Sequence, residues 1–254
     1  MAQQAQARPF PRPRAGDPGA GDVAKAQDRV AAALGVLAML YMSLIYAPTE
    51  RTQGEAYRIF YLHFGSAIVT YIAYIVTCIG SIAFLWKRDE RWDVLARTSA
   101  EVGLLMNTIL LIDGSIWGKT IWGAWWAWDP RLTSTLVLWF IYAGYLMLRA
   151  YGGNTPQIAR SAAVIGILGC LDIPIINQSV NWWRTQHPAP VVVRSDPQLA
   201  PEMLQAMFVG LIAFALLYAY LTLQRYRVER LAVQVGQLRQ EALFLDDQPT
   251  TRED

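Results

Sequence analysis

Apolar residues along the chain are gathered into six long runs that are separated by shorter polar segments. A helix needs roughly 20 apolar residues to cross the hydrocarbon core of a bilayer, and the runs have about that length. We therefore predict an all-α, polytopic membrane protein with six transmembrane helices, near residues 30–48, 63–86, 98–116, 133–150, 161–178 and 202–224.

The positive charges predict the orientation of these six helices. An even number of spans puts both termini on one side, and 16 of the 22 Lys and Arg residues would then share that side. Cytoplasmic loops carry the excess of Lys and Arg in membrane proteins. We therefore expect cytoplasmic termini and three loops on the outer face, at 49–62, 117–132 and 179–201.

The flanks of the membrane domain, which we place at 30–224, differ in composition from it. Residues 1–29 are rich in Pro, Gly, Ala, Gln and Arg without apolar periodicity, which predicts a flexible cytoplasmic tail. The first apolar run begins too far from the start for a cleaved signal peptide. Residues 225–254 form a cytoplasmic extension, either an amphipathic helix or a solvated tail.

Composition agrees with the membrane class and excludes others. The chain is 54% hydrophobic, and its net charge of +2 does not indicate a nucleic-acid partner. Its two cysteines, Cys78 and Cys170, lie in apolar runs, where we expect packing roles. Without a CxxCH motif the protein is not itself a c-type cytochrome.

Tryptophan is concentrated in the second outer loop, where five of the chain's ten tryptophans lie within residues 117–128. An aromatic belt at the membrane interface is one explanation, but a belt is spread over many helix ends. A dense cluster favours a surface for a flat, largely apolar ligand. The members are Trp117, Trp122, Trp125, Trp126 and Trp128.

Asp129 and Pro130 follow this cluster and are typical of a helix start, with Asp at the N-cap and Pro at the first helical position. We predict that they begin the fourth membrane helix. The carboxylate can also hold Arg131 or Lys119, so we interpret Asp129 as an organiser of the loop rather than as an acid or base.

The chain has only two histidines, His63 and His187, and the topology puts both at the outer face. Two neutral imidazoles on opposite sides of a flat macrocycle can supply both axial ligands of a haem iron. Zinc is the rival, but its sites usually need three or four ligands. Trp182 and Trp183 add aromatic surface near His187.

Haem also has two propionates, which basic side chains in the outer loops can bind. Arg58 and Arg184 are the first choices because each lies within five residues of a histidine. The other candidates are Arg131 and Lys119.

Two carboxylates lie inside apolar runs, Asp113 and Asp172, where burial is costly and functional roles are frequent. Pro174 interrupts the fifth helix just after Asp172. Helix packing and support of a ligand pocket both remain open for the two residues.

Several segments together resemble one family. Residues 122–133, WGAWWAWDPRLT, resemble the WWD signature of haem-handling proteins. Residues 57–63, YRIFYLH, and 172–187, DIPIINQSVNWWRTQH, resemble specifically the CcmC family of cytochrome c maturation. The resemblance covers about residues 30–224.

The resemblance implies a haem-delivery protein of the bacterial inner membrane rather than an enzyme. His63 and His187 would be the axial ligands of haem b at the periplasmic face, with a platform formed by Trp122, Trp125, Trp126, Trp128 and Asp129. The implied recipient is the haem chaperone CcmE. The ABC transporter CcmAB and the small membrane subunit CcmD are the other implied partners.

Three other functions remain as alternatives. An electron-transfer cytochrome b would retain its haem between helices. A cytochrome c synthase of the related WWD type would attach haem directly, but such chains are longer and have more histidines. A permease without haem would be colourless.

Overall fold

The computed structural model describes residues 18–153, 155–187 and 199–246, and these residues form helices without a β-sheet. The seven α-helices are α1 (Pro18–Tyr41), α2 (Ile59–Lys87), α3 (Glu90–Trp122), α4 (Pro130–Tyr151), α5 (Pro156–Cys170), α6 (Asp172–Trp182) and α7 (Pro201–Asp246). A π-helical turn, Met42–Tyr46, extends α1, and a 3-10 turn, Glu55–Arg58, precedes α2.

These elements make six stretches that are long and apolar enough to cross a membrane, which confirms the predicted number. Their bounds are Lys25–Tyr46, Glu55–Lys87, Glu90–Trp122, Pro130–Tyr151, Pro156–Trp182 and Pro201–Arg239. The chain is therefore a multi-pass, all-α membrane protein.

Most helices extend beyond the apolar runs that predicted them. α1 begins at Pro18, inside the predicted tail, and α7 continues to Asp246 without a break at residue 225. Residues 1–17 and 247–254 lie outside the described residues. Hydropathy marks the part of a helix that lies in lipid, whereas the helix itself ends only where the backbone changes conformation.

The second outer loop is shorter than predicted, because α3 runs to Trp122. Trp117 and Trp122 therefore lie on a helix and not in a loop. Gly123, with a φ of 77°, ends α3 in the left-handed conformation that glycine adopts without strain. Gly118 and Lys119 lower the hydropathy of this segment but do not stop the helix.

The fifth span is broken into α5 and α6 at Leu171, just before Asp172 rather than after it as predicted. Pro174 has no N–H group for the carbonyl of Cys170, four residues earlier. The break therefore appears one turn ahead of the proline. Cys170 and Cys78 are free thiols.

The central helix of the bundle is α2, which packs against α3, α5 and α7. Its crossing with α7 depends on two glycines. A Cβ atom on Gly65 would lie 2.7 Å from the ring of Phe214, and one on Gly210 would lie 2.8 Å from the carbonyl oxygen of Tyr61. Small residues allow such close contact between membrane helices. This crossing holds the first turns of α2, and with them His63.

Candidate functional site

A cavity of about 500 Å³ opens at one end of the bundle, between α2, α3 and the first turn of α4. The segment after α6 closes one side. Both histidines line it, although 124 positions separate His63 from His187 in the chain. Among the side chains that line the cavity are His63, Trp117, Trp122, Trp126, Arg131 and His187.

His63 lies in the second turn of α2 with its ring 5.4 Å from that of Trp117. Gly114 makes room for it, since a Cβ atom there would lie 3.0 Å from the Cε1 atom of His63. The Nδ1 atom is 2.7 Å from Oδ1 of Asp113. A carboxylate at this distance accepts the Nδ1–H, so Nε2 is left as the nitrogen with a free lone pair.

Asp113 also contacts Ser66, whose hydroxyl donates to Oδ2 over 3.2 Å. Asp113 therefore joins α3 to the first turns of α2 beside the ring of His63, an arrangement that fits both roles that the sequence left open, helix packing and support of a pocket. The spacing of Asp113 and Trp117 in the sequence contained part of the evidence for this position. Asp113 and Trp117 are four residues apart and lie on the same face of α3. The sequence does not reveal that this face meets His63.

Asp129 joins the loop after α3 to the segment that bears His187. Its Oδ1 accepts the backbone N–H of Arg131 at 2.9 Å, which makes Asp129 the N-cap of α4, as the Asp-Pro pair predicts. Its Oδ2 accepts the Thr185 hydroxyl at 2.5 Å and the backbone N–H of Gln186 at 2.7 Å. One buried carboxylate therefore positions two segments of the site.

The partners of Asp129 differ in part from those expected. Lys119 donates instead to the carbonyl of Gly123 at 2.8 Å.

Burial alone would raise the pKa of the Asp129 carboxyl, but the hydrogen bonds from Thr185, Gln186 and Arg131 outweigh it and lower the pKa. Asp129 is therefore charged at neutral pH.

The imidazole of His187 is neutral at pH 7. Burial is the main cause that lowers its pKa to about 4, and the positive charge of Arg131 adds to the shift. The nearest carboxylate oxygen, Oδ1 of Asp129, is 3.7 Å from Nδ1 and too distant for a hydrogen bond. Nδ1 has no hydrogen-bond partner among the described residues. The neutral ring is the form that binds a metal.

The predicted tryptophans divide into two groups. Trp117, Trp122 and Trp126 line the cavity, and the Trp122 ring lies edge-on to His187 with centroids 5.3 Å apart. Trp125 and Trp128 do not line it; their side chains are exposed beside it. Trp182 and Trp183 are also exposed.

The arginines predicted to bind the haem propionates also divide into one that lines the cavity and two that do not. Arg131 lines the cavity. Arg58 instead pairs with Glu55 and donates to the carbonyls of Ser43 and Ala47, which end the first span. Arg184 is exposed and does not line the cavity. For Arg58, nearness to His63 in sequence is misleading, because five residues are about 1.4 turns of helix and put two side chains on different faces.

The chain is similar to known proteins over most of its length. The profile of the CcmC family, described as heme exporter protein C, matches residues 19–241. Heme exporter protein C of Bradyrhizobium diazoefficiens is 36% identical over 200 residues, which is 78% of this chain and 76% of the relative. The protein of that name from Escherichia coli K12 is 36% identical over 182 residues, 72% of this chain and 74% of the relative.

A eukaryotic relative also matches. The "putative cytochrome c biosynthesis ccmC-like mitochondrial protein" of Marchantia polymorpha is 35% identical over 175 residues, which is 69% of this chain and 74% of the relative. Similarity of this extent, together with six membrane-spanning stretches, confirms the resemblance found in the sequence. The chain belongs to the CcmC, heme exporter protein C, family.

Proposed function

We propose that this protein binds haem b in the cavity described above, with His63 and His187 as axial ligands, and delivers it to the haem chaperone CcmE for cytochrome c maturation. One observation carries the proposal most directly: two histidines from distant segments line one aromatic cavity. The printed names of the relatives, heme exporter protein C, support haem as the cargo.

The dimensions and chemistry of the cavity fit this cargo. Pockets for small ligands have volumes of about 300–1,000 Å³, are mostly apolar and contain a few polar anchors. Here the walls combine three indoles with aliphatic and phenyl side chains. Two polar atoms in the wall, Nδ1 of His187 and Nε1 of Trp126, have no partner among the described residues. Arg131 supplies a positive charge for a propionate.

Zinc fits the same residues less well. It needs three or four His, Cys or carboxylate ligands, and within the described ranges no three such side chains come together as a metal site.

In this proposal the protein presents haem and performs no bond chemistry of its own. α2 holds His63, Asp129 holds the segment with His187, and the indoles exclude water from the ligand faces. Trp125 and Trp128, which are exposed beside the cavity, offer an apolar surface to the chaperone.

We place the cavity at the periplasmic face of the bacterial inner membrane, with both termini in the cytoplasm. The excess of Lys and Arg at the opposite end of the bundle supports this orientation. We further propose that the protein works beside the ABC transporter CcmAB and the small subunit CcmD. The word "exporter" in the names of the relatives supports such a complex.

The absorption spectrum of detergent-purified protein tests haem binding. We expect a low-spin spectrum in the wild type that is lost or altered in both His63→Ala and His187→Ala. Trp122→Ala should weaken binding, whereas Trp183→Ala, a matched change of an exposed indole in the segment after α6, should not. Unchanged spectra in both histidine variants would refute the ligand assignment, and a colourless wild type would favour a permease without haem.

Delivery needs a second measurement. Haem-loaded protein is mixed with purified apo-CcmE, and the haem content of each protein is followed after separation. We expect haem to appear on the chaperone. Haem that stays on this protein would contradict delivery and favour an electron-transfer cytochrome b, and direct attachment to an apocytochrome would favour a synthase.

A further inference from the structure

The two histidines of the cavity have different surroundings. The Nδ1 atom of His63 is 2.7 Å from the Asp113 carboxylate, which also accepts a hydrogen bond from Ser66. The Nδ1 atom of His187 has no hydrogen-bond partner among the described residues, and the Asp129 carboxylate is 3.7 Å away. The presence of two histidines does not by itself predict this difference, because the difference depends on the carboxylate of Asp113.

We propose that Asp113 makes His63 the ligand that stays bound to the haem iron and leaves His187 as the ligand that dissociates when haem is handed over. The inference rests on the proposed function and adds to it the order in which the two axial ligands leave the iron. Asp113 acts through His63 and is therefore a positioning residue.

The chemical reason is the hydrogen bond to Nδ1. A carboxylate that accepts this proton fixes the tautomer and the orientation of the ring, and it increases the electron density at Nε2. Nε2 then donates more strongly to a metal. Nδ1 of His187 has no acceptor among the described residues, so its Nε2 has only the donor strength of an ordinary neutral imidazole.

The mechanical reason is the support of each ring. His63 lies on α2, which the glycine crossing with α7 holds in place. Each ring also contacts one indole, Trp117 for His63 and Trp122 for His187, so these contacts do not distinguish the two. His187 lies on an irregular segment that Asp129 holds through the two preceding residues, Thr185 and Gln186. Within the described part of the chain, a rotation of the His187 ring therefore breaks no side-chain hydrogen bond, whereas a rotation of the His63 ring breaks the one with Asp113.

A double-mutant cycle tests the inference with haem affinity as the readout. Loss of a carboxylate behind a metal-binding histidine typically costs about 10–100-fold in affinity. We expect Asp113→Asn to weaken haem binding by about 10–100-fold in the wild type and in His187→Ala. In His63→Ala it should have no effect, because the histidine on which it acts is gone.

A second readout distinguishes electronic support from simple packing. Strong donation stabilises ferric iron, so we expect the reduction potential of the bound haem to rise in Asp113→Asn. Asp172→Asn is the matched control, since Asp172 is also a carboxylate within a membrane span but, unlike Asp113, makes no hydrogen bond with His63. Ser66→Ala, which removes one hydrogen bond to Asp113, should raise the potential by a smaller amount.

The identity of the ligand that dissociates is tested with carbon monoxide on the ferrous protein. Carbon monoxide should replace His187 readily, so the complex of His187→Ala should resemble that of the wild type and the complex of His63→Ala should differ.

Two outcomes would overturn the inference and leave haem binding intact. One is an equal effect of Asp113→Asn in the two histidine backgrounds, and the other is a wild-type carbon monoxide complex that matches His63→Ala. If neither histidine substitution changes the haem spectrum, the proposed function itself fails, and the two failures are thus distinguishable.

Discussion

The two ends of the helix bundle use their polar residues in different ways. At the end opposite the cavity, charged side chains are paired: Arg149 binds Asp93, Arg97 binds Glu229, and Arg225 binds Glu101. In the wall of the cavity, by contrast, Nδ1 of His187 and Nε1 of Trp126 are buried without a partner among the described residues.

The difference distinguishes polar groups that stabilise the fold from polar groups that are available to bind a ligand. A buried polar atom without a partner costs free energy, and proteins rarely tolerate several together. The paired end connects α3 with α4 and α7 and thereby stabilises the bundle. The paired end also has nitrogens without a hydrogen-bond partner among the described residues, Nε of Arg97 and Nε of Arg149, but they belong to guanidinium groups whose charge is already paired. The unpartnered atoms of His187 and Trp126 lie in a cavity wall, as expected at a site whose ligand completes the contacts. Substitutions at the two ends of the bundle test this contrast.

Removal of a buried partner at the paired end should cause the largest loss of stability. Arg149→Ala leaves Asp93 as an uncompensated charge, and the loss of one partner of a buried ion pair costs about 3–5 kcal/mol. Thermal unfolding in detergent should show a much lower midpoint. As a control, Arg91→Ala breaks an exposed pair with Asp89, and we expect a cost of at most about 1 kcal/mol. Equal effects of the two changes would contradict the structural role of the paired end.

The cavity end should lose stability in acid because of His187. The unfolded histidine titrates near pH 6.5 and the folded one near pH 4, so the unfolded chain binds more protons between these values. Stability is therefore complete above about pH 6.5 and falls as the pH drops toward 4, by at most about 1.4 kcal/mol per pH unit. Unfolding midpoints of haem-free protein across this range should show the slope, and His187→Gln should reduce it. A slope that His187→Gln leaves unchanged would show that other groups cause it.

The glycine crossing should link stability to the position of His63. Gly210→Ala puts a Cβ atom 2.8 Å from the carbonyl oxygen of Tyr61, and overpacking of this kind costs about 1–3 kcal/mol. We also expect weaker haem binding, because α2 must shift. Gly144→Ala is the matched control, since no atom lies within 4 Å of the added Cβ. The same loss in both variants would show that the crossing is not its cause, since helix propensity alone favours Ala over Gly at both positions.

Asp129 should affect the site more than the stability. Asp129→Ala removes the N-cap of α4, a loss worth about 0.5–2 kcal/mol, and frees Thr185 and Gln186. We expect a modest decrease in the unfolding midpoint but a clear loss of haem affinity. Thr155→Ala, which removes the N-cap of α5, is the control and should lower stability alone. Unchanged haem affinity in Asp129→Ala would show that the His187 segment does not need this contact.

Particular residues show how far sequence patterns reach. The N-cap role of Asp129 was predictable because capping depends on neighbours in the chain. Its contact with Thr185 was not, since 56 positions separate the two residues. Arg58 is the reverse case, in which the sequence suggested a contact that the structure does not have. Its nearness to His63 suggested a ligand contact, yet its guanidinium lies against the carbonyls that end the first span.

The sequence alone determined the number of spans, the all-α class and the residue types available for binding, because a bilayer demands long apolar helices. Two histidines and a tryptophan cluster were visible there as well. Only the tertiary structure decided which rings line the cavity, that Arg131 lies in it, and that Asp113 contacts His63 from another helix. These contacts depend on how helices cross and rotate against each other, and small residues such as Gly65 and Gly210 set that geometry without a periodic signal in the sequence.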